Sequence, residues 1–506
     1  MPDSASLLFA APHADEDAET SKAGSSRDRA SRGPFRPEVW LNARQRSGVR
    51  LAAHYFRVVD VLAAIVVALV ALWSLAPEGL SDARLGDLLP VLAGLSTVLL
   101  LLRSLGLYRF GREETAARHL AGVVGVCIIG AAAAALLGLM AGRQGLGAVA
   151  PWAMATTVVL TVLHGVWLLV VGRWRRQGVL SPNIVIVGAT RNAEALIARA
   201  LERRDINVLG VFDDRLARSP DAVAGVPVLG DAEALLNHRM TPYVDRIVLA
   251  IDAQGGQRVR DLTQRLEALP NPVTVLVDID AGPDAALDRL ASAPLSSLDG
   301  PADPDRRAFN KRLQDLLIGV AALVVATPVM ALVALAVRLD SPGPVFFRQR
   351  RHGFNQEAIV VWKFRSMRHA AADATASRQI TADDDRVTRV GRFIRATSLD
   401  ELPQIFNVLS GEMSLVGPRP HAIGMKTGET ESARLVAEYA HRHRIKPGMT
   451  GWAAVKGSRG PLHSEAEVRR RVQLDIEYVE RQSLWLDLWI LTVTLPVLLG
   501  DRGAVR

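Results

Sequence analysis

The sequence predicts a helical membrane bundle of four spans, then a Rossmann-like α/β domain, then a third region built around one more apolar helix. Three observations carry this. Apolar residues are 49% of the 506, yet they lie in long blocks rather than evenly. Arginines alternate between rich and poor in the segments joining the first four blocks. Beyond residue 178, the long blocks give way to short apolar runs that alternate with helical stretches.

The blocks are Val58–Ala76, Leu88–Leu102, His119–Ala141 and Pro151–Gly172. About 20 apolar residues cross the hydrocarbon core. The first, third and fourth have that length, and the second gains it if Arg103 snorkels. Arg44, Arg46, Arg50 and Arg57 precede the first block, and only Arg84 follows it. Arg103, Arg109, Arg112 and Arg118 follow the second, Arg143 the third, and Arg173, Arg175 and Arg176 the fourth. Positive charge marks the cytoplasmic side, so residues 51–177 read as four membrane spans with both ends cytoplasmic. A buried helical core is the alternative. Residues 1–50 are polar and aperiodic and read as a disordered cytoplasmic arm. Leu7–Ala11 is too short an apolar run for a signal peptide. Asp60 and His164, both inside spans, are expected to face neighbouring helices. The one cysteine, Cys127, excludes an intrachain disulfide and reads as a packing residue. A net charge of +8 is too mild to argue for a nucleic acid partner.

Residues 178–300 open with the strand-like run Asn183–Gly188, followed by a helical stretch, Asn192–Arg203. Further apolar runs fall at Val208–Phe212, Val226–Leu229, Arg246–Ile251 and Val273–Val277, with helical segments at Asp231–Leu236 and Gln257–Leu269. This alternation predicts a parallel, doubly wound sheet. The turn Gly188-Ala189-Thr190-Arg191-Asn192-Ala193 lacks two of the three glycines of a dinucleotide fingerprint, so a structural or assembly role is expected.

The fifth block, Leu313–Val337, carries Thr327-Pro328 near its middle, where proline removes a donor and bends a helix. Arg306, Arg307, Lys311 and Arg312 precede it, and Arg338, Arg348, Arg350 and Arg351 follow. A spanning helix would strand one basic cluster outside. A re-entrant helix broken at Pro328 keeps both inside, and the charges favour it over a kinked span. Val387, Val390, Phe393 and Ile394, interleaved with Arg386, Arg389, Arg392 and Arg395, predict a basic helix lying on a membrane surface. Leu484–Leu499, with Trp485 and Trp489, is a second interfacial candidate.

Three constellations hold chemistry. In Thr397-Ser398-Leu399-Asp400-Glu401-Leu402-Pro403, spacing alone predicts a capping box, Ser398 to Glu401. The same place suits an ionised carboxylate that binds a hard cation or attacks phosphorus. Lys363 and Arg365 alternate after the strand-like run Ala358–Trp362, which would set both cations on one face to clamp a diphosphate, unless they simply solvate an edge strand. Pro418 and Pro420 hold Arg419 in stiff backbone, suited to a fixed anion contact, and loops at Lys446–Trp452 and Lys456–Gly460 follow. Asp383-Asp384-Asp385 reads as a solvated acidic loop, and the histidines of the last third lack zinc spacing.

In ordered combination, Lys363–Met367, Thr397–Gln404, Asn407–Leu409, Met413–Pro420 and Lys446–Trp452 resemble the bacterial sugar transferases, the monotopic polyprenol-phosphate phosphoglycosyltransferases, over residues 306–500. Four spans and a Rossmann-like module look like the large members. Pro420-His421-Ala422, Ser458-Arg459-Gly460 and Ser483–Asp487 look most like the undecaprenyl-phosphate glucose phosphotransferases, which start exopolysaccharide or capsule repeat units.

The resemblance implies an α/β monotopic catalytic domain over 306–506, with a re-entrant helix at 313–337 broken at Thr327-Pro328. It implies transfer of a hexose 1-phosphate, expected to be glucose 1-phosphate, from a UDP-sugar to undecaprenyl phosphate in the membrane lipid, with release of UMP. It makes Asp400 the nucleophile that carries a phosphosugar and Glu401 its partner. Mg²⁺ would bridge these carboxylates and the diphosphate, with Lys363, Arg365, Arg395, Arg419 and Arg459 neutralising phosphate charge. Ala454 and Pro461-Leu462-His463 depart from glucose-type members, which bears on the sugar rather than the reaction. A catalytically silent scaffold or regulator of polysaccharide assembly is the alternative, and a homodimer through the middle domain is a further expectation.

Overall fold

The computed structural model describes residues 41, 43–75, 85–111, 114–140, 149–203, 206–215, 220–236, 238, 240–250, 256–266, 268–276, 304–368, 384–427, 430–432, 435–460 and 462–500. The expected disordered arm lies outside the described residues up to residue 40, as do Arg84, Arg112, Arg143 and Asp383, but its last part, Ala43–Arg50, is an α-helix rather than disordered. The chain divides into two compact units: residues 46–181 with 292–309, and residues 182–291 with 310–506 and 1–45.

Among the described residues, the first unit holds four long helices that lie wholly within it: α1 (Ala52–Leu75), α2 (Leu85–Ser104), α3 (Ala116–Met140) and α4 (Val149–Arg176). Arg44–Trp73, Ala116–Met140 and Val149–Arg176 are long and apolar enough to cross a membrane; α2 has a shorter apolar part, Leu88–Ser104. A helix satisfies its own backbone where no water can, so an apolar run of this length has little alternative. Ala64, Ala68 and Ala134 pack inward with Val91, Leu95 and Trp152. A Cβ on Gly130 would overlap the Val98 side chain, so this glycine lets α3 approach α2 closely. Leu62, Val66, Val70, Trp73, Leu136 and Leu139 point outward and stay exposed, as a lipid-facing surface requires. Cys127 is buried beside Val123 and Val126.

Asp60 and His164 do face neighbouring helices. His164 Nε2 lies 3.2 Å from Asp60 Oδ2, and Trp167 Nε1 donates to Asp60 Oδ1 at 3.0 Å. On its other side, His164 Nδ1 meets His119 Nε2 at 3.0 Å, and His119 Nδ1 lies 3.2 Å from Glu114 Oε1. The chain Glu114–His119–His164–Asp60 therefore ties α1, α3 and α4 together.

In the second unit, β1 (Asn183–Val187), β2 (Asn207–Phe212), β3 (Arg246–Ala250) and β4 (Val273–Leu276) form a parallel sheet in the order β2-β1-β3-β4. Helices α5 (Arg191–Arg203) and α6 (Gly256–Leu266) return the chain between strands. Strands β1, β2 and β3 are buried on both faces, which is why they read as continuous apolar runs, whereas β4 at the edge leaves Val275 exposed. The expected strand at Val226–Leu229 is instead a two-residue piece, Val226–Pro227, paired antiparallel with Ala222–Val223. Pro227 cannot donate to a ladder, which keeps this segment at the margin. Asp213 accepts from the Ala189 amide at 2.8 Å, so an internal carboxylate caps the turn where a dinucleotide phosphate would need an amide.

Helix α7 (Pro304–Asp340) runs on through Thr327-Pro328, and Arg306–Asp340 is long and apolar enough to cross a membrane. The Thr327 hydroxyl donates to the Leu323 carbonyl at 2.7 Å. One stripe, Met330, Val333 and Val337, is buried with Phe364 and Ile394, while Val324, Val325, Leu332 and Leu335 are exposed. After α7 come the antiparallel pair β5 (Phe346–His352) and β6 (Ala358–Phe364), and the short helices α8 (Arg389–Ala396) and α9 (Gln404–Leu409). Next are the parallel pair β7 (Ser414–Val416) and β8 (Gly448–Thr450), then α10 (Glu465–Arg481) and α11 (Leu484–Gly500). Asn355, buried at φ 52°, donates to the Val244 carbonyl at 3.2 Å and accepts from Asn271 at 3.0 Å, joining this part to the parallel sheet. Phe393 on α8 and Trp485 on α11 are 62% and 81% exposed, which suits apolar anchors rather than core residues. Val387 bridges to Met367 instead of joining α8.

Candidate active site

The site forms where β6, the turn after α8 and the loop after β7 meet. Thr388 caps α8 by accepting from the Gly391 amide, and a Cβ on Gly391 would overlap the Ser366 carbonyl. Glycine there lets α8 sit against the end of β6. The helix ends at Ser398, which takes a left-handed conformation, φ 58° and ψ 14°. A serine in that region costs on the order of 1–3 kcal/mol and turns the chain sharply into the 3-10 turn Leu399–Glu401.

The expected capping box is absent. Ser398 makes no side-chain cap, and its hydroxyl accepts from Arg459 at 3.1 Å. The left-handed backbone removes the extended geometry that an N-cap needs. The box in this part of the chain is at Ser464 and Glu467, where it starts α10. Glu401 is thereby released to the site, where Lys363 Nζ donates to it at 2.8 Å and Arg419 Nη2 at 2.6 Å. Asp400 and Glu401 are both buried.

These neighbours set the two carboxyls apart. Burial alone raises Glu401, but Arg419 and Lys363 more than offset it and hold it well below the usual range. Asp400 is pushed up to about 6 by burial, with Glu401 adding to the rise and Lys363, Arg395 and Arg419 opposing it. Two adjacent acids are thus one firmly ionised and one titrating near neutrality.

The cations divide. Lys363 and Arg419 meet on Glu401, and Arg395, which also donates to Ser366 Oγ at 3.3 Å, is near enough for its charge to act on Asp400. Arg459 touches the turn before the dyad. Arg365 does not join Lys363 in a clamp. Strand β6 ends at Phe364, and Arg365 turns to the end of α7, donating to the carbonyls of Ser341 at 2.6 Å, Pro342 at 2.9 Å and Val337 at 3.3 Å. Arg351 is a half-buried cation that spacing did not single out. It donates to the Pro420 carbonyl at 2.6 Å, and its charge is felt by Arg419 and both acids. Its signal is the i, i+2 alternation through Gln349 on β5, which a run of arginines hides.

Glycines let the Arg419 loop close on its neighbour. A Cβ on Gly417, Gly448 or Gly451 would overlap facing backbone, which brings β7 and β8 together. Among the described residues, no cluster of three or more His, Cys, Asp or Glu forms a metal cage. Asp384 is bound by the Arg386 guanidinium. One oxygen, Asp400 Oδ1, is buried without a hydrogen-bond partner, whereas both Glu401 oxygens are taken by Arg419. Mg²⁺ is held by one or two carboxylates together with substrate phosphate, so the residues fit such an ion at Asp400 rather than at Glu401.

The bacterial sugar transferase family description matches residues 306–501, and a CoA-binding domain description matches residues 103–276. Among curated relatives, the UDP-glucose:undecaprenyl-phosphate glucose-1-phosphate transferase of Xanthomonas campestris pv. campestris is 38% identical over 343 residues, 65% of this chain and 69% of the relative. The exopolysaccharide production protein PSS of Rhizobium leguminosarum bv. phaseoli is 47% identical over 185 residues, 37% of this chain and 92% of the relative. A UDP-N-acetylgalactosamine-undecaprenyl-phosphate N-acetylgalactosaminephosphotransferase of Aeromonas hydrophila is 40% identical over 198 residues, 39% of this chain and 45% of the relative.

Proposed function

The chain belongs to the bacterial sugar transferase family, and from that premise we propose that it transfers glucose 1-phosphate from UDP-glucose to undecaprenyl phosphate with release of UMP. It is a transferase of the undecaprenyl-phosphate sugar phosphotransferase class. The observation that carries the finer reading is Asp400: buried, raised toward neutrality, with one oxygen unpartnered beside a Glu401 that two cations hold ionised.

In the first displacement, a carboxylate oxygen of Asp400 attacks the sugar-bearing phosphorus of the diphosphate. The bond to the UMP oxygen breaks, and UMP leaves with that oxygen. In the second, a phosphate oxygen of the acceptor lipid attacks the same phosphorus, and the Asp400 carboxylate leaves. Two steps let an aqueous and a lipid substrate use one site in turn. Mg²⁺, when bound, would neutralise diphosphate charge. Lys363, Arg395 and Arg419 supply fixed positive charge around the transferring group, and burial strengthens it. Glu401 keeps Lys363 and Arg419 in register, so its role is positioning. Arg365 holds the end of α7 instead of substrate.

A lipid acceptor places the site at headgroup depth. The exposed Phe393 and Trp485, the basic α8 and the outward apolar stripe of α7 fit that depth. We read α7 as re-entrant about Thr327-Pro328, with the catalytic domain on the cytoplasmic face of the inner membrane, and the product as the first lipid-linked sugar of an exopolysaccharide or capsule.

The test is turnover in nanodiscs with undecaprenyl phosphate, Mg²⁺ and a panel of UDP-sugars. Wild type is expected to release UMP with UDP-glucose, and Asp400→Asn to lose at least about 10³-fold. UMP with UDP-N-acetylgalactosamine alone would move the sugar. Release of UDP would refute the mechanism. No release from folded protein would favour a silent scaffold.

A further inference from the structure

Four successive carbonyls carry the Arg419 loop, and each has a donor. The Pro418 carbonyl accepts from the Gly448 amide at 2.9 Å, and that of Arg419 from Arg442 Nη2 at 2.6 Å. The Pro420 carbonyl accepts from Arg351 Nη1 at 2.6 Å, and that of His421 from the His352 amide at 3.1 Å. Two of the donors are backbone amides and two are guanidinium groups, of the half-buried Arg351 and the buried Arg442. The prolines lend no amide of their own, so the direction in which Arg419 leaves the loop is set by these carbonyl contacts.

Arg442 is the deeper of the two arginines, 1% exposed, and its Nη2 also meets Asp475 Oδ2 at 2.7 Å, with Asp475 2% exposed. We propose that the buried Arg442–Asp475 ion pair is a positioning device that aims Arg419 at Glu401; this rests on reading Asp400-Glu401 as the reactive pair. As a stabiliser such a pair is poor, because desolvating both charges cancels much of their attraction. What it supplies is direction: the planar Arg442 fork gives an Nη2 hydrogen to the Arg419 carbonyl, while Asp475 Oδ2, 2.7 Å from the same nitrogen, holds the guanidinium by charge.

Helix α10 sets the other half. Asp475 and Arg471 stand one turn apart on it, and Arg471 donates to Ser458 Oγ at 3.1 Å and to the Gly460 carbonyl at 2.7 Å. One helix face therefore orients both the Arg419 loop and the loop that brings Arg459 to Ser398. The pair is ringed by His421, Tyr439, His443, Arg471 and Arg419. His421 is held neutral by its burial and by Arg442, so it stays an acceptor for that guanidinium. Asp475 is the counter-charge that lets Arg442 and Arg471 lie near Arg419 without driving it off.

The experiment is UMP release in nanodiscs for wild type, Arg442→Lys, Asp475→Asn and Arg419→Lys, and for Arg442→Lys and Asp475→Asn each combined with Arg419→Lys, with thermal unfolding as the folding control. Arg442→Lys keeps the charge and loses the fork. It is expected to lower kcat at least tenfold with a smaller change in KM for the UDP-sugar, and Asp475→Asn is expected to do the same. If both act by aiming Arg419, their losses do not add to that of Arg419→Lys, and each double variant falls no more than about twofold below Arg419→Lys alone. That result in the folded variants supports the proposal, and Asp475→Asn carries the test alone if Arg442→Lys does not fold. Losses that multiply, or a kcat unchanged in the folded single variants, overturn it. Absence of UMP from the wild type would instead overturn the reaction itself, and this inference with it.

Discussion

The difference between Asp400 and Glu401 is made by placement, not by chemistry. Both are buried acids in one turn, yet only Glu401 receives Lys363 and Arg419 directly. The sign of the pH response follows. Asp400 is raised to about 6, so its nucleophilic form is lost as pH falls through 6, and kcat/KM is expected to drop there with unit slope. The same shift means that ionising Asp400 works against the fold, a cost absent at low pH and complete above 6. Glu401 acts oppositely: its low pKa favours the fold above the ordinary carboxylate range, and that benefit is lost in acid. Lys363→Met should therefore move the kinetic limb upward, read from kcat/KM against pH. An unmoved limb would mean that Asp400 does not titrate in the free enzyme.

Elements explain which residues sequence could place. Strand β6 was legible from its apolar run, Ala358–Trp362, but its end was not, and one residue decides whether Arg365 faces substrate or α7. Arg365→Ala should leave KM for the UDP-sugar unchanged while lowering stability by about 1–3 kcal/mol, because the carbonyls at the end of α7 lose their donor. Thermal unfolding beside initial rates separates this from Lys363→Met, which should lower kcat. Ser398 shows why the capping box misled: spacing cannot reveal a left-handed serine, and only the packing of α8 against Ser366 requires one. In the membrane unit, Asp60 and His164 stood out as polar residues in spans, but His119 and Glu114 joined them only through helix packing. His164→Leu removes the hydrogen bond to His119 in a buried site and should destabilise the bundle by about 1–3 kcal/mol, measured by denaturant unfolding in detergent. A smaller loss would mean that water reaches His119.

At the scale of the molecule, the order of parts was readable because each rests on a period: long apolar blocks, then strand-helix alternation. The site was readable only as a set of motifs in order, since its contacts join β6, the dyad turn and the loop after β7, with 38 residues separating Lys363 from Glu401. Because no protein cage for a cation exists among the described residues, chelation should abolish turnover yet shift the unfolding temperature little. Thermal melts with and without EDTA, alongside UMP release, check this. The central claim is that the sugar phosphate passes through Asp400. The most direct measurement is intact and peptide mass spectrometry of the enzyme incubated with Mg²⁺ and UDP-glucose, without acceptor lipid. The account predicts UMP release of up to one equivalent and a hexose phosphate adduct on the peptide holding Asp400, discharged when undecaprenyl phosphate is added. Efficient turnover with lipid but no adduct and no UMP in its absence would contradict it.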